Sequence, residues 1–296
     1  MSGATVDLTG RIAGAPISWG VCEVPGWGHQ MSAGRVLSEM TALGLAATEL
    51  GPDGFLPADP TAKAAELRSA RLQAVGAFVP AILHQAAHDP AGEVGRAIEE
   101  LVAAGARTVV LAAATGAEGY DSRPQLDAHD WKTLFHNVDA LAELAGRSGL
   151  TACLHPHVGT VIETREDVMR LLDGAQVPLC LDTGHLLVGG TDPVELAAQV
   201  PDRVAHVHLK DVGGALAAQV RAGAVGYTDA VRAGMYRPLG SGDVDIAAII
   251  SSLERSGYRG WYVLEQDAVL SGEPPADGGP ADDVRASLAY LARVSR

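Results

Sequence analysis

The chain has 296 residues and a formal net charge of −14, from 36 acidic and 22 basic residues. So small a basic complement argues against DNA or RNA as a partner, because nucleic-acid binding needs a positive footprint that releases counterions. No apolar run reaches the ~18 residues needed to span a bilayer, which argues against a membrane protein.

The opening stretch, MSGATVDLTGRIAG, has neither a basic n-region nor an apolar h-region. No signal peptide is expected, and the expected location is cytoplasmic. Short apolar, β-like runs then recur at residues 12–18, 47–50, 76–82, 108–112, 151–154, 178–182, 204–210 and 260–265. They are nearly continuous in apolar character, as parallel strands buried on both faces should be. Cys153 and Cys180 fall inside two of these runs and read as buried small hydrophobes. With Cys22 they make an odd number without a CxxC pair, which argues against a disulfide framework and a thiolate zinc site.

Helical patterns fill the intervals. Asp59-Pro60 and Asp192-Pro193 each place an N-cap before a proline at the first helical position. Glu195 suggests a capping box in the second case, and Thr164 with Asp167 suggests another. A helix is expected from about Asp130 to Arg147, stopped by Gly149, and a last one from about Ala281 to Val294. Residues 212–243 and 271–279 read as irregular loops. Eight βα units in succession predict an α/β fold, a (β/α)₈ TIM barrel forming a single domain over residues 1–296. The alternative, an open doubly wound sheet, lacks its glycine fingerprint: SWGVCEVPGWGHQM follows the first strand, with no GxGxxG.

Polar residues gather where strands end. The fifth run ends in Leu154-His155-Pro156-His157 and the sixth in Asp182-Thr183-Gly184-His185. The seventh passes through His206-Val207-His208-Leu209-Lys210, and the eighth ends in Leu264-Glu265-Gln266-Asp267. Side chains alternate along a strand, so His206 and His208 share a face. Inward-pointing charges in a barrel are costly unless paired or ligated. His155, Asp182, His208 and Glu265 offer two nitrogens and two oxygens, a mix suited to Mn²⁺, Co²⁺, Zn²⁺ or Fe²⁺ and poorly suited to Mg²⁺ or Ca²⁺.

At HPHVGT, LDTGH, HVHLKD and WYVLEQD the sequence resembles the xylose-isomerase-like barrel superfamily of sugar isomerases, epimerases and dehydratases. Within it, APISWG, TELGPDGFLP and PLGSGDVD make it most similar to the inosose dehydratases, which remove water from 2-keto-myo-inositol. The resemblance covers nearly the whole chain. It implies one divalent metal ion, Mn²⁺ or Co²⁺ foremost, held by Asp182, His208 and Glu265, with His155 where many epimerases of the superfamily carry Glu. It further implies His157 as the base that removes an α-proton, with Glu265 also at the reacting centre. His185 or Lys210 is expected to protonate the departing β-hydroxyl or to hold the substrate. Glu49, Trp19 and Arg237 are expected substrate contacts, and His206 a supporting residue rather than a ligand. The implied partner is a small polyhydroxylated ketone, and a homo-oligomer is compatible. The runner-up reading is a metal-dependent epimerase or isomerase of an unphosphorylated ketose.

Overall fold

The computed structural model describes Leu8, residues 10–276 and residues 278–295; most of the N-terminal stretch read above lies outside them. The strands are β1 (Ile12–Gly14), β2 (Ala47–Thr48), β3 (Gln73–Ala74), β4 (Gly76–Ala81), β5 (Thr108–Ala113), β6 (Thr151–Leu154), β7 (Leu179–Asp182), β8 (Val204–Leu209), β9 (Asp211–Val212), β10 (Tyr236–Arg237) and β11 (Tyr262–Leu264). Nine of them form one sheet, ordered β3-β2-β1-β11-β8-β7-β6-β5-β4. Every pairing in it is parallel.

The two ends of this sheet are one stretch of chain. Only Val75 separates β3 from β4. Its N–H donates to Thr48 O at 3.0 Å, and its carbonyl accepts from Thr108 N at 3.2 Å. The third stave is therefore split at Val75, and through that residue the sheet closes into a barrel of eight staves. All eight strand expectations fall on these staves. The first was drawn too long: Pro16 lacks an amide hydrogen and starts a 3-10 helix, Pro16–Trp19, so extended pairing stops at Gly14.

Small residues fill the lumen, with Ala13, Ala47, Val75 and Val263 in one cluster and Val110, Cys153 and Cys180 in another. Larger residues such as Leu111, Leu181 and Leu209 belong to the main core, where staves meet the surrounding helices. The helices start where caps were expected. Asp59 accepts from Ala62 N, Asp192 from Val194 N and Glu195 N, and Thr164 with Asp167 forms a complete capping box. Glu195 departs from the box pattern; its carboxylate lies 3.8 Å from Arg165 instead. The helix before β6 begins at Ala128, two residues earlier than expected, because Asp127 and Asp130 form their own capping box.

Residues 212–243 are not an irregular loop. They contain helices Gly214–Arg221 and Tyr227–Arg232, and β10 pairs antiparallel with β9. One buried carboxylate ties the segment down. Asp211 Oδ1 accepts from Val212 N and Val244 N at 2.9 and 3.1 Å, and Oδ2 from Gly240 N and Gly242 N at 2.8 and 3.0 Å. Gly242 permits this approach, since a Cβ there would stand 2.3 Å from Asp211 Oδ1. Asp211→Ala is expected to lower unfolding free energy by about 3 kcal/mol, because buried amides lose a charged acceptor. A denaturant midpoint unchanged from wild type would refute this anchoring role.

Candidate metal centre and cavity at the barrel mouth

The staves β6, β7, β8 and β11 lie side by side in the sheet, so their C-terminal ends deliver their side chains to one side of the mouth, where barrels of this kind carry their chemistry. Register pairs Asp182 with His208 across β7 and β8, and Cys180 with His206 one layer deeper. His208 also pairs with Val263 of β11, and Glu265 follows Val263 by two residues.

The ligand atoms of Asp182, His208 and Glu265 all lie within 4.8 Å of one another, as do those of His155, Asp182 and His185. His155 Nε2 is 3.2 Å from Asp182 Oδ2, which is 3.6 Å from His208 Nδ1, itself 3.1 Å from Glu265 Oε2. Yet both ring nitrogens of His155, Asp182 Oδ2 and His208 Nδ1 are buried without a hydrogen-bond partner. Native proteins seldom leave such atoms unsatisfied. Donors about 2.0–2.2 Å from a shared cation stand roughly 3–4 Å apart, which is the spacing found. The residues fit a divalent ion.

Neighbours aim these donors. Asp182 Oδ1 caps helix Thr183–Val188, accepting from Gly184 N and His185 N at 2.8 and 2.7 Å, which leaves Oδ2 for the centre. His208 Nε2 donates to Glu49 Oε1 at 3.1 Å, so the opposite nitrogen faces Asp182 and Glu265. A carboxylate behind a ligating histidine is the usual device for orienting it. The same Glu49 oxygen accepts from His206 Nε2 at 2.9 Å. Burial works against charge on Glu49, but His208 and His206 hold its carboxyl below the ordinary range. Burial likewise disfavours the charged form of His208, but Glu265 and Glu49 lift its imidazole well above the usual value. A cation binding there competes with that proton.

Beside this cluster opens a cavity of about 410 Å³, lined by Trp27, Phe78, Tyr120, His157, Lys210 and Asp267, with His155 and Glu265 also on its surface. His157 Nδ1 donates to Val158 O at 2.6 Å, which leaves Nε2 with its lone pair. Burial, aided by His155 and Lys210, pushes the His157 imidazole well below its ordinary range and keeps it neutral. The turn after it is held by Gly159, in a left-handed conformation with φ 74°, where a Cβ would stand 2.4 Å from the Tyr120 backbone. Lys210 is buried, with Nζ 3.2 Å from Glu265 Oε2 and 3.5 Å from Asp182 Oδ2.

Three expected substrate contacts sit elsewhere. Trp19 is wholly buried and turned away from the cavity, its indole N–H donating to Glu39 at 2.7 Å; Trp27 takes the place on the cavity wall. Trp19→Phe is therefore expected to cost about 1 kcal/mol of stability, the worth of one hydrogen bond, with kcat and KM unchanged. Trp27→Ala is expected to raise KM severalfold, and a steady-state comparison of the two checks the assignment. Arg237 is exposed and does not line the cavity. Strand alternation on β10 turns its neighbour Tyr236 inward instead, where the hydroxyl lies 3.4 Å from His185 Nδ1. His185 is not on the cavity surface either; its ring stacks on His157 at 3.6 Å, and its Nε2 accepts from Lys210 at 3.0 Å. Glu49 does reach the cavity, but its bonded oxygen serves the two histidines. Asp267, Tyr227 and Tyr236 were missed. For Asp267 the signal was its place two residues past Glu265; the tyrosines lay in a segment read as irregular.

A closed parallel barrel whose C-terminal mouth carries a buried carboxylate–imidazole cluster able to hold a metal ion is the class that fold and site define. The particular family follows from comparison: the profile of the xylose isomerase-like TIM barrel family matches residues 38–294, and the chain belongs to that family. An inosose dehydratase of Geobacillus kaustophilus is 30% identical over 96% of this chain and 94% of its own length. The rhizopine catabolism protein MocC of Rhizobium meliloti is 34% identical, covering 96% and 88%. Among solved structures, the 3-keto-D-glucoside 4-epimerase of E. coli superposes with a TM-score of 0.66 at 18% identity, covering 96% of this chain and 99% of that one, a likeness of fold. No helix among the described residues is long and apolar enough to cross a membrane.

Proposed function

We propose that this protein is a metal-dependent dehydratase of a cyclic keto-polyol such as 2-keto-myo-inositol. The observation that carries the reading is the buried His157, whose Nδ1 is committed to Val158 O and whose side of the barrel mouth is a cavity shared with His155 and Glu265. The similarity to inosose dehydratases over nearly the full chain supports it. His155, Asp182, His208 and Glu265 would hold the ion. Two nitrogens and two oxygens favour Mn²⁺ or Co²⁺, with Zn²⁺ and Fe²⁺ also accommodated. What such an ion supplies when bound is Lewis acidity toward the substrate ketone, which acidifies the neighbouring C–H.

The chain's own residues do the rest. His157 Nε2 takes the α-proton, and the C–H electron pair moves toward the ketone. The β C–O bond then breaks, hydroxide leaves with its electron pair, and a carbon–carbon double bond forms. Lys210, the buried ammonium on the cavity surface, protonates the hydroxide to water. The proton on His157 returns to solvent and Lys210 is recharged, so the balance is one keto-polyol to one unsaturated ketone and one water. Trp27, Phe78 and Tyr120 supply an apolar wall for a ring face. Epimerisation would need a second base on the opposite substrate face, and His155, standing where many epimerases of the superfamily carry Glu, weakens a proton exchange between two metal-bound carboxylates.

The deciding experiment incubates Mn²⁺-loaded protein with 2-keto-inositols and free ketoses in D₂O. Water loss by mass, with a conjugated product chromophore, is the expected result. Deuterium exchange with inversion and no water loss would replace this reading with the epimerase one.

A further inference from the structure

Behind the cavity the hydrogen bonds close into a ring. Lys210 Nζ donates to Asp267 Oδ1 at 2.6 Å and to His185 Nε2 at 3.0 Å. Asp267 Oδ2 accepts from the Tyr227 hydroxyl, which lies 3.1 Å from the Tyr236 hydroxyl, and Tyr236 returns to His185 Nδ1 at 3.4 Å. All five residues are buried.

The ring has a direction. An ammonium only donates, so His185 Nε2 accepts and its proton sits on Nδ1, facing the Tyr236 oxygen. Tyr236 then donates to Tyr227, and Tyr227 to Asp267. Both arms run from Lys210 to the same carboxylate. The Val158 amide, 3.4 Å from His185 Nδ1, is the one contact this assignment leaves unmade.

Asp267 also settles a competition. Lys210 Nζ is 3.5 Å from Asp182 and 3.2 Å from Glu265, the two carboxylates assigned to the ion. Its shortest bond is the one to Asp267, at 2.6 Å. Without that bond only His185 Nε2, at 3.0 Å, opposes the pull of those carboxylates on the ammonium.

We propose that Asp267 is a positioning residue for the water-loss step. It holds Lys210 off the ion-binding carboxylates, aims the ammonium at the departing hydroxyl, and is itself braced by Tyr227 and Tyr236. This inference rests on the dehydratase reading and assigns no part to Asp267 in removing the α-proton.

The test uses full-length Asp267→Asn, which keeps the side-chain shape and removes the charge. At saturating Mn²⁺ in D₂O, kcat for water loss from 2-keto-inositol is expected to fall about thirtyfold, less than the roughly 10²–10⁴-fold cost of losing a general acid outright, because Lys210 is displaced and not removed. KM should stay within about twofold of wild type, and α-deuterium exchange should persist, so the ratio of exchange to elimination rises. Titration of metal-free variant with Mn²⁺ should show affinity weakened about tenfold, as for lost support of a metal shell. Asp267→Glu should restore part of kcat. Tyr227→Phe, a milder change, should move the same ratio in the same direction by about threefold. Exchange and elimination falling together, or Mn²⁺ affinity and water loss both unchanged, would overturn the proposal. Failure of the dehydratase reading itself would show in the wild type, as absence of water loss from every keto-polyol, whereas failure of this inference shows only in the variants.

Discussion

Asp182→Asn is expected to abolish turnover, with kcat/KM down by at least about a thousandfold, the scale of removing several kcal/mol of metal-ion stabilisation. The substitution is nearly isosteric. Asn can still present its amide oxygen to Gly184 N and His185 N, so the cap on helix Thr183–Val188 survives. What is lost is the charge on the second oxygen, which lies 3.2 Å from His155 Nε2 and 3.6 Å from His208 Nδ1. Burial opposes ionisation of Asp182, yet the Lys210 ammonium holds its carboxyl well below the ordinary range. Elemental analysis should therefore find the variant depleted of the divalent ion that wild type retains, and a chelator should bring wild type to the same state, reversibly. A variant that folds, lacks bound metal and still turns over would remove the metal centre from the reaction.

His157→Ala is expected to lose about 10³-fold in kcat, the middle of the range for deleting a general base, while metal content stays at the wild-type level. The separation follows from geometry. His157 faces the cavity, but its Nδ1 is committed to Val158 O, and it is absent from the close contacts linking His155, Asp182, His208 and Glu265. The informative measurement is α-deuterium exchange. It should vanish in His157→Ala and persist in Asp267→Asn, because the first variant removes the base and the second disturbs only departure of the hydroxyl. Exchange that survives in His157→Ala would pass the proton abstraction to another group.

Much of this was legible in the sequence, for identifiable reasons. Parallel staves buried on both faces leave uninterrupted apolar runs, so the eight-stave barrel could be read even where β2 is only Ala47–Thr48. The convergence of His155, Asp182, His208 and Glu265 was readable because strand ends and two-residue alternation fix where such side chains point. The failures came where no period operates. Trp19 looked like a cavity wall, but the 3-10 helix begun at Pro16 rotates it toward Glu39. Arg237 and Tyr236 are adjacent on a two-residue strand, and only the pairing with β9 decides which faces in. His185 stands one helical turn past Asp182, a spacing that does not reveal that Lys210 and His157 screen it from the cavity. The support Asp211 gives to residues 240–244 depends on contacts about 30 residues apart in sequence, which composition does not disclose.

The split third stave has a mechanical meaning. Where β2 meets β4, the cylinder is zipped by few amides: Val75 to Thr48 and Leu50 to Gly76, each at 3.0 Å. β4 and β5, by contrast, run in register over six residue pairs. The wall is thus unevenly paired, and β2 pairs with β1 at Gly14 and Thr48 alone. Glu49 lies where β2 meets β4, between Thr48 and Leu50, and it is the residue that fixes the rotation of His208. The short strand β2 and the orientation of the His208 nitrogen that faces Asp182 and Glu265 are thereby joined through one carboxylate.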